Sequence, residues 1–429
     1  MSLSLYYKFA KNELYQICRS ITGPGIRNSL QLIKKKIPQL KIRSIKSGTK
    51  VFDWKIPKEW IIKKAYVIDE NNKILIDFND NNLHLVGYSE PVNKIVTLQD
   101  LLKRIHTIKN KPNAIPYITS YYKNYWGFCV SQNFKNKLSK KYQPNSKFKV
   151  IIDSKFKYNG NLNYGEIYIK GKSKKEILIS TYLCHPSMAN NELSGPIAAM
   201  VLAKKYLNKK NSKSIRILFI PETIGSIAYL AINKKNLKKN FIGGYNLSCI
   251  GDERAHSCIF SKYKNSLSDK YLRDSYKNFK INFINYSFLE RGSDERQYNS
   301  PGIDLPVATI CRSKFGKYPE YHTSLDNFKV VTQKGLSDGI KVAEFSINEF
   351  LKNIIPTAKI YCEPNLGKRG LYPTLSTLKK NRPSKKLLDF LQYSDGTNDL
   401  DDISKFIKLD KKNTFKIFKF LYNKSLIAI

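Results

Sequence analysis

An α/β architecture with a mostly parallel central sheet is the fold class this chain predicts, and two observations carry the expectation. From Lys147 onward, short β-branched apolar runs recur: Phe148-Lys-Val-Ile-Ile152, Gly165-Glu-Ile-Tyr-Ile169, Glu176-Ile-Leu-Ile-Ser180, Ile215-Arg-Ile-Leu-Phe-Ile220, Tyr245-Asn-Leu-Ser-Cys-Ile250 and Val307-Ala-Thr-Ile310. Segments of helical period alternate with the later ones, over Leu193 to Leu207 (Ile197, Val201, Leu202) and over Leu336 to Leu351 (Ile340, Ala343, Ile347, Phe350). Strands alternating with helices build βαβ units. The second observation is that acid/base or metal-type residues stand at the ends of several runs, where the carboxyl ends of parallel strands converge on a crevice.

The remaining elements follow in order. From Leu5 to Ile37 two amphipathic helical stretches are separated by Thr22-Gly-Pro-Gly25, which punctuates rather than continues a helix. Residues 47–132 change texture to short runs such as Lys64-Ala-Tyr-Val-Ile68, Lys73-Ile-Leu-Ile-Asp-Phe78, Ile95-Val-Thr97 and Trp126-Gly-Phe-Cys-Val130, the pattern of a small β-rich domain. That domain interrupts a larger one assigned to 1–46 and 133–355. A proline-punctuated linker, 356–382, precedes a last unit at 383–429. Its three short helical patterns (Leu387 to Leu391, Leu400 to Ile407, Phe415 to Leu421) and strand-like tail, Leu426-Ile-Ala-Ile429, have the order of a winged helix-turn-helix.

With 429 residues, 41% of them hydrophobic, the chain has material for more than one core. Its 75 basic against 34 acidic residues give a formal charge of +41. Lysine is spread along nearly every segment, so a solvated basic surface accounts for the charge and nucleic acid is not expected as a partner. The seven cysteines are odd in number and lack CxxC spacing, which suits free thiols in a reducing compartment. No apolar run approaches the roughly 20 residues of a membrane helix, and no signal-peptide core precedes Lys8 and Lys11. A cytoplasmic chain without membrane contact is expected.

Five stretches supply the chemistry. His185, after an apolar run and before Pro186, offers an imidazole at a strand end suited to zinc. Asn190, Asn191 and Glu192 precede Leu193-Ser-Gly195 and a helix; one of them suffices to cap it, which leaves Glu192, or Asn191 in its place, to face a cation. Glu222 follows Pro221 at the end of Ile215 to Ile220, as a general base on a metal-activated water would. Asp252 follows Ile250-Gly251, as a metal ligand or as the start of an Asx turn. His322 adds a second imidazole, and Asp326 stands near enough in sequence to hold its far nitrogen. Asp294 and Glu295 could hold a substrate amine or pair with Arg291 or Arg296. There is no GxSxG elbow, phosphate loop or dinucleotide fingerprint.

At these residues the sequence resembles the co-catalytic zinc aminopeptidase family, which includes the glutaminyl cyclases, and more closely bacterial aminopeptidase-like proteins associated with surface-polysaccharide biosynthesis. The resemblance is carried by Ser47 to Trp60, Cys184-His-Pro-Ser-Met-Ala-Asn-Asn-Glu-Leu-Ser-Gly195, Pro221-Glu-Thr-Ile-Gly-Ser226, Arg291 to Tyr298, Pro301 to Pro306, Tyr318-Pro-Glu-Tyr-His-Thr-Ser-Leu-Asp326 and Cys362 to Gly370. It implies a three-layer αβα domain with an inserted β-rich domain and a carboxyl-terminal winged helix. By carry-over, His185, Asp252 and His322 fall on metal-ligand positions, and Glu222 falls on or beside the catalytic glutamate. The chain departs from the family at Ser187, where an aspartate usually stands, and at Asn191, where a bridging aspartate does.

The expectation is therefore a zinc metallohydrolase of aminopeptidase type holding one or two zinc ions. Glu222 is its catalytic base, His185, Glu192, Asp252 and His322 are metal ligands with Asn191 as the alternative, and Asp294, Glu295 and Tyr321 contact substrate. That substrate is a peptide or small molecule, and a homo-oligomer is compatible with this. Two rivals accompany it: a mono-zinc deacylase or acyl-transfer enzyme on amino-sugar precursors, and a decayed binding or regulatory protein.

Overall fold

The computed structural model describes residues 3–371 and 383–429, so the second part of the expected linker, 372–382, lies outside the described residues. Its largest element is an eight-stranded sheet, whose strands are numbered here in chain order: β1 (Lys41–Lys46), β2 (Asn161–Ile169), β3 (Ser173–Tyr182), β4 (Lys213–Ile220), β5 (Phe241–Leu247), β6 (Ser257–Ile259), β7 (Ile284–Tyr286) and β8 (Val307–Cys311). The order across the sheet is β1-β2-β4-β3-β5-β8-β6-β7. The centre, β4-β3-β5-β8, is parallel, while β1, β2 and the β8-β6 pairing are antiparallel, so the sheet is mixed.

Strand β3 shows why the run Ile177-Leu-Ile179 is apolar without alternation. Ile177 and Ile179 face one core together with Ile215, Ile217 and Phe219 of β4 and the buried stripes of helices Pro24–Lys36, Ser194–Leu207 and Gln333–Lys352. Leu178 points the other way, with Leu218 and Ile220, into a second core. Successive side chains take opposite faces and both are covered, so every position must be apolar. Each such side chain contributes about 1.5–3 kcal/mol on burial.

The second core is closed by helix Ile224–Asn240 and by the inserted domain, whose Val67, Ile76, Phe148, Val150 and Ile152 belong to the same cluster. The insertion is built on a four-stranded antiparallel sheet in the order Ile74–Asp77, Glu59–Ile68, Lys147–Lys157, Val92–Thr97. The run Phe148 to Ile152 was expected in the larger domain, and here the structure differs. Strand Lys147–Lys157 is an inner strand of the small sheet, which extends the insertion beyond residue 132. Its alternating burial is that of a sheet with one covered face, a pattern that five residues cannot distinguish from a fully buried strand.

The carboxyl-terminal unit has helices Pro383–Gln392, Leu400–Phe406 and Lys411–Asn423 around Phe390, Ile403, Phe418, Leu421, Leu426 and Ile427. Phe418 and Leu421 pack inward as their spacing implies, whereas Phe415 is exposed. Strand Ile427–Ala428 pairs with Thr357–Ala358, so the start of the expected linker belongs to this unit. Asp399 fastens the unit to the main body: it accepts from Lys270 Nζ at 2.6 Å and Tyr271 Oη at 2.7 Å, and its other oxygen caps helix Leu400–Phe406 through the Asp402 N–H at 3.0 Å. Replacing Asp399 with alanine removes a cap and leaves a half-buried ammonium without one of its counter-charges. The expected result is a loss of about 2 kcal/mol in the unfolding of this unit, measured by thermal melting with limited proteolysis. An unchanged melt would show the contact to be inert.

Candidate metal centre

The parallel register of the central sheet places the first two site residues side by side. Tyr182 of β3 is opposite Ile220 of β4, and the Leu183 N–H donates to the Ile220 carbonyl at 2.8 Å. His185 and Glu222 therefore leave the sheet from neighbouring strand ends. His185 Nε2 lies 3.7 Å from Glu222 Oε2, and the Glu222 N–H reaches Cys184 Sγ at 3.3 Å.

Behind His185 runs a buried charged chain. Its Nδ1 lies 2.9 Å from Glu192 Oε2, and the other Glu192 oxygen accepts from Arg19 Nε at 3.1 Å. A carboxylate only accepts, so Nδ1 carries the proton and Nε2 is the nitrogen left facing the cleft. Arg19 and Glu192 have no exposed side-chain surface. Arg19 also donates to the His185 carbonyl at 2.9 Å and the Leu14 carbonyl at 2.5 Å, fixing the backbone as well as the ring. Burial disfavours charge on His185, but the bond to the Glu192 carboxylate favours it and holds its pKa above the usual histidine value, so a metal ion at Nε2 would displace a proton.

His322 arrives from the loop after β8 with φ +54, a left-handed backbone that a β-carbon disfavours. Its ring lies 5.5 Å from the His185 ring, centroid to centroid, and stacks on Tyr321 at 4.0 Å. Burial and the neighbouring His185 push its pKa down to about 3, so it is neutral. Its Nε2 is buried and meets no hydrogen-bond partner among the described residues. Tyr117, from the insertion, stands edge-on to both imidazoles at 5.2 Å.

Glu222, His185 and His322 share a cavity of about 270 Å³ with Cys184, Thr223, Ile224 and a wall from the insertion that includes Trp54, Tyr117, Tyr121 and Tyr122. Burial raises the Glu222 pKa, opposed by His185. Thr223 beside it is also left-handed, φ +65, and non-glycine backbone of that kind costs about 1–3 kcal/mol, retained mainly where surroundings impose it.

The other expected site residues are placed elsewhere or otherwise engaged. Asp252 is 1% exposed and does not line this cavity. Its two oxygens accept from Asn190 Nδ2 (3.0 Å), Ser313 N (2.9 Å), Ser313 Oγ (2.7 Å) and Arg254 N (3.0 Å). The Asx-turn alternative describes it, and the structure offers no open lone pair there for the expected metal. Glu192, expected as a direct ligand, turns its carboxylate to Arg19 and His185 and stands behind the imidazole instead of in the cleft. Asn191 Oδ1 accepts from Tyr182 Oη at 3.2 Å. Asp326 does not hold His322; it caps the turn Ala189–Leu193, accepting from the Asn190 and Asn191 N–H groups at 2.7 and 2.8 Å. Asp294 accepts from Thr223 N and Ser226 Oγ at 2.8 and 2.7 Å, supporting the Glu222 loop from behind, and burial and the Glu222 charge raise its pKa to about 7. Glu295 accepts from Gly292, Ser293, Thr309 and Asn246, not from an arginine and not from the cavity. Tyr321 contacts the site through its stack on His322.

Among the described residues, Cys184, His185 and Glu192 place possible ligand atoms within 4.8 Å of one another. Arg19 and the internal hydrogen bonds close that group, and burial raises the Cys184 pKa, keeping the thiol neutral. The open donors are the two Nε2 atoms and the Glu222 carboxylate. Two imidazoles are zinc donors, and the Glu222 carboxylate beside them stands where a base acting on a zinc-bound water would, with Glu192 as the carboxylate that orients the His185 ring. The residues fit a zinc ion.

Arg19 is the residue sequence reasoning missed. Its signal was weak: an arginine closing a helical stretch and followed by the uncharged Ser20-Ile-Thr-Gly-Pro24, in a chain whose exposed cations are mostly lysine.

A three-layer α/β domain with a strand-end cleft, an insertion walling that cleft and a winged helix after it define an aminopeptidase-like protein. The chain belongs to the family described as Domain of unknown function (DUF4910), matched over residues 7–353, with a winged helix-turn-helix matched over 353–429. It is 42% identical over 399 residues, 91% of this chain and 89% of the relative, to a Clostridium acetobutylicum protein named as a polysaccharide biosynthesis protein with an aminopeptidase-like domain. A crystal structure described as a peptidase from the same organism matches with a TM-score of 0.79 and 39% identity over 99% of this chain and 96% of that one. The zinc aminopeptidase BSAP of Bacillus subtilis matches with a TM-score of 0.60 over 82% of this chain and 96% of that one; at 13% identity the likeness is one of fold.

Replacing Arg19 with methionine leaves Glu192 buried without its counter-charge. A loss of about 3 kcal/mol is expected, read as the midpoint of chemical unfolding. A variant as stable as the parent would remove the argument that this pair fixes His185.

Proposed function

We propose that the protein is a mono-zinc hydrolase of aminopeptidase type, acting on an amide in a small molecule connected with surface-polysaccharide biosynthesis. The observation that carries this reading is the convergence of two imidazole nitrogens, one with its partner side already held by Glu192 and one buried without a partner, on a cleft that also holds Glu222. His185 and His322 would hold the metal through Nε2. A bound zinc ion supplies a polarised carbonyl and an acidified water.

The chain does the rest. Glu222, with its pKa raised by burial, takes the proton from the attacking water and returns it to the leaving nitrogen. Asp294 keeps the Glu222 loop in place through Thr223 and Ser226. The aromatic wall from the insertion excludes bulk water and so strengthens the electrostatics inside. One ion rather than two is favoured because the carboxylates that could bridge a pair, Glu192 and Asp252, are spent on other donors. Seven free cysteines, and no helix among the described residues long and apolar enough to cross a membrane, support the cytoplasmic reading.

Elemental analysis of purified protein is expected to give one zinc per chain, lost in His322→Ala. Glu222→Gln is expected to keep the zinc and to lower the hydrolysis of aminoacyl or acylamino-sugar amides by about 10²–10⁴-fold. A metal-free parent would defeat the proposal. Loss of zinc in Glu222→Gln would make that residue a ligand instead of the base.

A further inference from the structure

Next to the chamber of the two imidazoles lies an outer cavity of about 380 Å³, bounded on several sides by the insertion. Tyr121 and Tyr122 line both chambers, so the two adjoin at these rings. The contact is ordered: Tyr121 Oη bonds Tyr117 Oη at 2.8 Å, and Trp54 stands edge-on to Tyr122 at 5.8 Å. With Tyr88, Phe156 and Tyr158, aromatic rings are five of the fourteen lining residues, against 12% of the chain, so the enrichment is local.

The charge of the lining is one-sided. Lys55, Lys58 and Lys123 contribute, and no aspartate or glutamate lines the cavity among the described residues. Lys58 Nζ lies 4.0 Å from the Tyr158 ring centroid and donates to its hydroxyl at 2.8 Å, fixing a ring with a cation beside it. Lys55 and Lys123 are exposed and, among the described residues, paired with no carboxylate. At the rim, Ser47 Oγ is buried and has no hydrogen-bond partner among the described residues. A buried hydroxyl left in that state is costly unless a ligand satisfies it.

We propose that this outer chamber binds the non-reacting arm of the substrate, a sugar ring bearing a negative group, phosphate or carboxylate, while the amide lies between His185 and Glu222. The inference rests on the hydrolase reading above and gives its substrate class. Flat aromatic faces cover the apolar face of a sugar ring, Ser47 Oγ meets a ring hydroxyl, and the lysine ammonium groups meet the anion. A cavity of this size suits a monosaccharide.

The test is calorimetric titration of the full chain with N-acetylglucosamine 1-phosphate, glucuronate, neutral N-acetylglucosamine and inorganic phosphate. At least one anionic sugar is expected to bind about tenfold or more tighter than the neutral sugar and than inorganic phosphate, and which one does so identifies the anion. Lys55→Ala with Lys123→Ala, and separately Tyr158→Ala, should each weaken that binding about five- to tenfold with zinc content and melting temperature unchanged. Equal binding of neutral and charged sugars, equal binding of phosphate alone, or indifference to these substitutions would overturn the proposal. The two readings fail separately. An anionic sugar held as described by a protein that cleaves no amide would sink the hydrolase and keep the chamber; amide cleavage with no preference for the anion would do the reverse.

Discussion

The site depends on one buried electrostatic chain, Arg19 to Glu192 to His185. Its two ends come from distant parts of the sequence, and all three groups are nearly free of solvent. A charge taken out of water is stabilised only by good geometry and full hydrogen bonding. Glu192 meets that condition by giving one oxygen to the guanidinium and one to the imidazole. The arrangement fixes which nitrogen of His185 is protonated and hence which faces the cleft. It also ties the amino-terminal segment, through Leu14 and the His185 carbonyl, to the strand end that carries the histidine.

The second constraint is the insertion. It contributes no metal-type ligand to the cleft, yet it forms much of the wall and shares one hydrophobic cluster with a face of the central sheet. A domain packed in this way is part of the body that forms the cleft rather than an appendage. Its Tyr121 and Tyr122 wall one chamber and line the next.

Much of this was legible in the sequence. The β-branched runs and helical periods gave the α/β class, because a strand covered on both faces has to be apolar throughout, as Ile177-Leu-Ile179 is. His185, Glu222 and His322 were legible as residues at strand and loop ends. What was not legible depends on pairings that no local pattern encodes. Arg19 and Glu192 are 173 positions apart and meet only in the folded chain. Asp252 looks, by position, like a ligand, but whether its lone pairs are open depends on Asn190 and Ser313. Asp326 lies four residues from His322 and serves a turn more than 130 residues away. The strand Lys147–Lys157 was given to the wrong sheet because an apolar run reports burial and not partner.

The loop that carries His322 is stitched to the insertion: Tyr117 N–H donates to the His322 carbonyl at 2.9 Å, Ser324 N–H to the Ile115 carbonyl at 2.9 Å, and Pro116 bridges Thr323. His185, by contrast, is anchored to the central sheet. The spacing between the two imidazoles is thus set at the seam where the insertion meets the central sheet.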